Sequence, residues 1–160
     1  NTAGKRYNYL LGSGLVDAQR AVKLSKKWIL LSPPEEITQT SLERFTMPTA
    51  LAFSFDDDKR VEQVQICVRL EGTARGMRIW LKSPAGTKAV LASPSSRVST
   101  VAGCSYASHC FTSMITWGEA LRGTWVLFFV QPSHTDGVVL EANMTAHVSS
   151  FPMNVHGCIS

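Results

Sequence analysis

The stretch VEQVQICVRLEGTARGMRIWLKSPAGTKAVL, residues 61–91, decides the fold class of this chain. Apolar residues occupy alternate positions on both sides of a segment, 72–76, that contains two glycines. Alternation with a period of two predicts strands that bury one face, and the glycine-containing segment between them predicts a β-hairpin. The alternating apolar positions are Val61, Val64, Ile66, Val68 and Leu70 before the segment, and Met77, Ile79 and Leu81 after it.

A tight turn follows the second of these strands. The turn Ser83-Pro84-Ala85-Gly86-Thr87 combines a proline, which presets φ, with a glycine, which accepts a positive φ. The chain is therefore expected to reverse here and to begin another strand.

Short alternating stretches separated by turn residues continue from Ile37 to the region of Val148. This spacing predicts an all-β fold, an antiparallel jelly-roll-like β-sandwich of about eight strands. The predicted strands are 36–46, 48–55, 60–70, 76–82, 87–92, 110–115, 124–130 and 138–148.

One helix precedes the predicted sandwich. Apolar residues recur at helical spacing between Leu15 and Leu24, and Ser32-Pro33-Pro34 then breaks the chain. We therefore divide the chain into an N-terminal helical part, 1–31, a linker, 32–36, the sandwich, 37–148, and a tail, 149–160.

The composition limits the classes of function. A chain of 160 residues with 44% hydrophobic content can bury a core in one domain. The net charge is +4, but the basic residues are scattered rather than gathered in a stripe with aromatic residues, which argues against nucleic-acid binding. No apolar run reaches the roughly 18 residues of a membrane span, so we predict no membrane contact for this segment.

Four cysteines allow two disulfides in three connectivities. The short spacing favours a local Cys104–Cys110 loop, which would leave Cys67 to pair with Cys158. The alternative for Cys67 is a buried free thiol within a strand. Asn143-Met144-Thr145 is a possible N-glycosylation site, and together these features favour an oxidising compartment.

The sequence shows no evident group of catalytic residues or metal ligands. Gly12-Ser13-Gly14 lacks the earlier glycine and the preceding strand of a nucleophile elbow. The carboxylates of 56–58 could bind calcium, but a solvated turn is the favoured interpretation. The tryptophans could form a sugar-binding platform, although tryptophan in small sandwiches usually packs in or on the sheets. The four histidines do not have the spacing of metal ligands; they are His109, His134, His147 and His156. The four tryptophans are Trp28, Trp80, Trp117 and Trp125.

Three groups of residues resemble one known family. Leu11-Gly12-Ser13-Gly14-Leu15-Val16-Asp17-Ala18 resembles the motif that opens the last helix of the catalytic domain in kexin- and furin-like proprotein convertases. Residues 61–91 resemble the start of the P domain, or Homo B domain, that follows it. The block Trp117-Gly118-Glu119 with Gly123-Thr124-Trp125 resembles a later part of that domain. Family-type residues are replaced at Met77, His109, Ala142, His147 and Val148, so the chain is a divergent member.

The resemblance implies a function for the chain. It implies a non-catalytic P domain that packs on a subtilisin-like catalytic domain of the same protein, supports its folding and influences its calcium and pH dependence. The parent protease would process precursors at basic sites in the secretory pathway, in Golgi-type compartments or outside the cell. No catalytic residue, metal ligand or cofactor is expected in this chain, although calcium is possible in the parent. The structural motif residues would be Ser83, Pro84, Gly86, Thr87, Trp117, Gly118, Glu119, Gly123 and Trp125.

By the same resemblance, residues 1–31 form the C-terminal tail of the catalytic domain, and the helix from Leu15 to Leu24 is expected to pack mainly on the rest of that domain, because its apolar stripe has little to pack against in this chain alone. The candidate docking residues are Leu15, Val16, Val22, Trp28 and Ile29. Two alternatives stay open: a free-standing jelly-roll module that binds glycans or proteins, and the P domain of an inactive protease.

Overall fold

The alternating apolar and polar residues form a series of short strands, which follow a helix near the N-terminus. The structure, a computed structural model, describes residues 1–4, 14–27, 35–42, 44–46, 48–71, 77–93, 107–130 and 138–149. The elements are α1 (Ala18–Ser25), β1 (Glu35–Ser41), β2 (Phe45–Thr46), β3 (Thr49–Phe55), β4 (Arg60–Glu71), β5 (Arg78–Lys82), β6 (Lys88–Ala92), β7 (Ala107–Ser113), β8 (Gly123–Val130) and β9 (Val138–Ser149).

The strands form two antiparallel sheets that face each other. A five-stranded sheet has the order β1-β9-β4-β7, with the short β2 also paired to β9, and a four-stranded sheet has the order β3-β8-β5-β6. This arrangement confirms the predicted antiparallel β-sandwich. The single predicted strand 36–46 is divided into β1 and β2, which both pair with β9.

The hairpin predicted between the two strands of 61–91 is wrong. β4 pairs with β7 and β9 in one sheet, whereas β5 pairs with β6 and β8 in the other. The alternation itself is correct, because both strands point their apolar residues into the same core from opposite sides. A hairpin and a crossover between sheets require the same apolar pattern, so the pattern cannot separate them. The hairpin in this region joins β5 and β6 through the turn at 83–87.

The core lies between the sheets. Trp125 is fully buried there, and its indole Nε1 donates a hydrogen bond to the carbonyl of Leu121 at 2.8 Å. The largest buried side chains around it are Phe53, Phe129, Ile66, Leu70, Met77, Ile79, Leu81, Leu127 and Met144.

The helix α1 contributes nothing to this core. Asp17 caps it by accepting a hydrogen bond from the backbone N–H of Arg20 at 2.9 Å, and none of its residues is buried. Leu15, Val16 and Val22 are 103%, 90% and 61% exposed, while Trp28 and Ile29 lie outside the described residues. Their role in docking stays a prediction.

The disulfide differs from the expected pairing. Cys67 on β4 is bonded to Cys110 on β7, directly opposite it in the antiparallel register. The expected Cys104–Cys110 and Cys67–Cys158 pairings are therefore both wrong, and Cys104 and Cys158 lie outside the described residues. Short spacing favoured the local loop, but the antiparallel pairing of β4 and β7 places Cys67 beside Cys110, 43 residues away in sequence.

The cross-strand disulfide predicts a measurable loss of stability on its removal. It joins residues separated by 43 positions, so the double variant Cys67→Ala, Cys110→Ala should lose about 4 kcal/mol of unfolding free energy in the chain-entropy estimate. Urea unfolding would measure this loss. Non-reducing peptide mass spectrometry should find Cys67 linked to Cys110, and the matched variant Cys104→Ala, Cys158→Ala should keep that link. A Cys104–Cys110 peptide in the unaltered protein would contradict the assignment.

Candidate functional site: the Glu119 corner

The turn that carries Trp117-Gly118-Glu119 is hydrogen-bonded to the beginning of β4. The N–H of Gly118 donates to the carbonyl of Val61 at 2.7 Å, and the N–H of Val61 donates to the carbonyl of Glu119 at 2.9 Å. Leu121 adds a third bond, from its N–H to the carbonyl of Lys59 at 2.9 Å. Gly118 has a φ of 82°, a conformation that glycine adopts without steric cost, which explains its place in this turn.

The turn between β5 and β6 meets the same region. The N–H of Thr87 donates to Oγ of Ser83 at 3.1 Å, and the Ser83 N–H donates to the Thr87 carbonyl at 2.9 Å. Ser83 is 2% exposed. Gly123, with a φ of 118°, packs on Pro84 so closely that a Cβ there would lie 2.8 Å from the Pro84 Cβ. Only glycine fits, so the start of β8 is tied to this turn.

The Glu119 carboxylate joins the two turns. Glu119 is only 2% exposed, and its Oε1 accepts a hydrogen bond from Oγ1 of Thr87. The same oxygen accepts from the N–H of Thr2 at 3.2 Å and from the Thr2 hydroxyl at 2.9 Å. Oε2 is buried with no hydrogen-bond partner among the described residues. We call residues 83–87 and 114–121 the Glu119 corner.

The first residues of the chain lie against this corner. The side-chain amide of Asn1 donates to the carbonyls of Ile115 and Trp117, at 2.8 and 3.0 Å. Together with Thr2, it links the beginning of the chain to residues more than a hundred positions away. Neither Asn1 nor Thr2 was singled out from the sequence, because no local pattern identifies a partner so distant. The family resemblance indicates Ser83, Thr87 and Glu119 as motif residues, but only the structure shows that they converge.

Charged residues surround a neighbouring turn at 56–58. Arg122 forms ion pairs with Asp56 and Asp58, at 3.0 and 3.1 Å, and Lys59 contacts Asp57 at 3.2 Å. The N–H of Lys59 lies 2.9 Å from Oδ1 of Asp57, and this hydrogen bond lowers the pKa of the Asp57 carboxyl. Carboxylate partners, Glu35 first and Asp57 second, raise the pKa of Lys59. The three carboxylates thus have cationic partners from the chain itself.

The three tryptophans that the structure describes do not form a common platform. Trp125 is in the core, Trp117 is 40% exposed at the corner, and Trp28 lies outside the described residues. Trp80 stands on the outer face of the four-stranded sheet, stacked on Phe128 with ring centroids 3.8 Å apart and planes within 7°. Lys88 Nζ lies 4.0 Å from the Trp80 ring centroid. Phe128 and Lys88 come from the strands on either side of β5, so the indole has a partner in each neighbouring strand.

The two described histidines, His109 and His147, also lie apart. His109 is opposite the inward-pointing Val68, next to Phe111. His147 lies on the outer face of the same sheet, with Nδ1 3.5 Å from a Glu36 oxygen. Among the described residues, no group of three or more His, Cys, Asp or Glu side chains is placed to hold a metal ion. Ser13, His134 and His156 lie outside that part of the chain.

The sequon at Asn143 lies on a central strand. Its side chain points to the outer face of the five-stranded sheet, opposite Cys67. Asn143 Nδ2 lies 3.1 Å from Oε1 of Glu141, and the Thr145 and Thr38 hydroxyls are 2.8 Å apart. Glycosylation of Asn143 stays a prediction.

The fold and the corner define a two-sheet antiparallel β-domain that holds an N-terminal segment against one end. A profile of the proprotein convertase P-domain family matches residues 61–142. Bovine neuroendocrine convertase 2 is 32% identical over 162 residues, covering 92% of this chain and 25% of the relative. Rat proprotein convertase subtilisin/kexin type 4 is 29% identical over 140 residues, covering 79% of this chain and 20% of that protein.

Among solved structures, the serine protease of Aeromonas sobria in complex with a chaperone superposes with a TM-score of 0.80. That match has 21% identity and covers 94% of this chain and 33% of the other, so it shows the fold alone. This chain belongs to the proprotein convertase P-domain family. It spans about a quarter of the length of the curated relatives it matches.

The buried carboxylate predicts that Glu119 is needed for stability. Glu119→Ala should cost about 3 kcal/mol of unfolding free energy, because it leaves the Thr2 and Thr87 donors without their acceptor. Glu119→Gln should cost less, since an amide oxygen still accepts hydrogen bonds but has no charge. Urea unfolding followed by tryptophan fluorescence would measure both variants. Glu36→Ala, at an exposed position, is the control and should change stability by under about 1 kcal/mol. Equal effects of Glu119→Ala and Glu36→Ala would contradict this account.

The lowered pKa of Asp57 predicts a dependence on acid pH. Because the folded-state pKa lies below the unfolded value of about 3.9, the stabilisation is complete above that value and is lost as the pH falls through the folded pKa. Asp57→Asn should therefore reduce the drop in urea midpoint between pH 6 and pH 3. Lys59→Ala should retain most of the drop, since the main cause is the backbone N–H. An unchanged drop in Asp57→Asn would refute the assignment.

Proposed function

We propose that this chain is a non-catalytic P domain that stabilises and regulates an attached subtilisin-like serine endopeptidase, which processes precursor proteins at basic sites. The observation that carries the proposal is the Glu119 corner. Thr2 and Asn1 belong to the part that resembles the end of a catalytic domain, and they are hydrogen-bonded to motif residues of the sandwich. The corner thus gives a physical link through which the sandwich can hold the protease domain.

The energetics of the corner support a stabilising role. A buried carboxylate is costly unless it is hydrogen-bonded, and part of its hydrogen bonding comes from Thr2. Release of the N-terminal segment would remove those donors. Folding of the sandwich and retention of the protease end are therefore coupled in both directions.

The proposed location is the secretory pathway or the extracellular space. The Cys67–Cys110 disulfide supports it, because such bonds persist in oxidising compartments. No described helix has the length and apolar character required to cross a membrane.

The direct test compares the full-length protein with a version that lacks residues 37–148. We expect the truncated protein to lose at least about tenfold in cleavage of a fluorogenic peptide with paired basic residues, because its protease domain is not held in its folded state. Circular dichroism and limited proteolysis of the truncated protein would show that loss of structure. Glu119→Ala in the full-length protein should reduce activity in the same direction, with Glu36→Ala as the matched control.

Full activity of the truncated protein would overturn the stabilising role. A full-length protein that folds cooperatively but cleaves no substrate would instead identify an inactive protease. Specific glycan binding by residues 1–160 would support the free-standing module.

A further inference from the structure

The edge strands of the two sheets are protected to different degrees. The N–H and C=O groups at an edge can pair with another strand, and charged residues or irregular pairing oppose this. β1 begins with Glu35 and Glu36, while β6 begins with Lys88 and has a register shift in its pairing with β5. β3 has the sequence TALAFSF, without charge or proline, and pairs with β8 in unbroken register. Of these three edges, that of β3 is the open one.

The contacts of Ser54 show which backbone groups of β3 point to the edge. Its N–H donates to Oε1 of Gln39 on β1 at 2.9 Å, and its C=O accepts a hydrogen bond from the Gln39 side-chain amide. Because β1 belongs to the other sheet, these groups point away from β8. The direction of the N–H and C=O groups alternates along a strand, so those of Ala50 and Ala52 point the same way as those of Ser54. They have no hydrogen-bond partner among the described residues.

The open part of this edge is short and has a defined end on each side. At one end Pro48 comes just before β3, and proline has no N–H to donate. At the other end Gln39 already occupies the backbone groups of Ser54. The side chains of Ala50 and Ala52 are exposed and small, so a second backbone can approach closely. These two residues offer an N–H donor and a C=O acceptor each.

This set of donors and acceptors is complementary to itself. In antiparallel pairing about a two-fold axis at Leu51, Ala50 of one copy lies opposite Ala52 of the other, and each such pair exchanges two hydrogen bonds. Pro48 of each copy then faces Ser54 of the other, so the open edges of the two copies end at the same points. A register shifted by two residues would place an alanine opposite Ser54 or Pro48 and lose hydrogen bonds. The edge therefore specifies one register.

An exposed leucine lies near the same part of β3. Glu35, at the start of β1, contacts Lys59, which follows β3. Gln39, further along β1, contacts Ser54, which precedes the end of β3. The two strands therefore run in opposite directions, and Leu42, just after β1, is placed towards the middle of β3. Leu42 is 74% exposed, so pairing of two copies through β3 would bury apolar surface there.

We propose that the open edge of β3 pairs with the same edge of a second copy of this chain. The pairing joins two four-stranded sheets into one continuous sheet. A second copy is favoured because it supplies the matching donors and acceptors in one register, adds the Leu42 contact, and meets a strand without charge. The contact is small, so the dimer is weak and reversible. The inference is separate from the proposed function, because its tests measure association and not cleavage.

Introduced cysteines in the full-length protein test the register. We expect a mixture of the Ala50→Cys and Ala52→Cys variants to form an intermolecular disulfide under mild oxidation, because directly opposed residues lie within reach of a disulfide. Either variant alone should crosslink at least about fivefold less, since its introduced thiols then lie diagonally across the pair. Thr112→Cys, at an exposed position on β7, replaces Ala50→Cys in the control mixture, which should not crosslink. Peptide mass spectrometry distinguishes a link between positions 50 and 52 from links to the natural cysteines.

Light scattering of the full-length protein tests the association itself. The average mass of the unaltered protein should rise towards twice the monomer mass as the concentration approaches about 100 μM. Leu42→Glu should raise the dissociation constant of the dimer at least about tenfold, because it replaces an apolar contact by two like charges. Val90→Glu, at a 66% exposed valine on the opposite edge strand of the same sheet, is the matched control and should leave the constant unchanged. Circular dichroism checks that both variants fold.

Four results would overturn the proposal. A constant monomer mass without a link between positions 50 and 52 would show that no second copy binds this edge. In such a monomer, introduced thiols that resist maleimide labelling would show that another part of the same molecule covers it. Equal crosslinking of the mixture and of the single variants would indicate random collision in place of strand pairing. A dimer that Val90→Glu dissociates and Leu42→Glu does not would place the interface at β6.

Discussion

The buried carboxylate of Glu119 is the constraint on which the arrangement of this domain depends. A charge at 2% exposure is stable only with strong hydrogen-bond donors, and these come from Thr2 and Thr87. The backbone around it is fixed by hydrogen bonds of Gly118 and Glu119 with Val61, near the start of β4. Glu119 therefore connects the N-terminal segment to the β5–β6 turn through its side chain and to β4 through its backbone. Its second oxygen, buried without a partner in the described residues, leaves a place for one more donor.

Fold class could be predicted from the sequence because burial alternates along each strand. In β4 the buried residues Val64, Ile66, Val68 and Leu70 are the ones that the pattern identifies. Which strand pairs with which could not be predicted in the same way. β4 and β5 have the same pattern whether they pair or face each other across the core. The pairing is decided by the whole set of strands, among which β9 occupies the position between β1 and β4.

The disulfide pairing and the contacts of the Glu119 corner could not be predicted from the sequence, for the same reason. Cys67 and Cys110 are 43 residues apart, and Thr2 and Glu119 are 117 apart. Such contacts are created by strand order and leave no local trace in one sequence. The family resemblance gave the motif residues Ser83, Thr87 and Glu119 without their geometry. Docking of the helix stripe on a catalytic domain stays a prediction of that resemblance, and it gave no indication that Asn1 and Thr2 contact the sandwich.

The inner and outer faces of the sandwich have different chemistry. The inner faces supply the hydrophobic stability, and the five-stranded sheet presents a polar outer face with a covalent cross-strand link. The outer face of the four-stranded sheet carries the exposed Val90, the stacked rings of Trp80 and Phe128, and the basic residues Arg78, Lys82 and Lys88. Its side chains are held across the strands by aromatic stacking and by the contact of Lys88 with the Trp80 ring, whereas those of the other outer face are held by the disulfide and by hydroxyl hydrogen bonds. The two sheets therefore share one apolar core but stabilise their outer faces by different interactions.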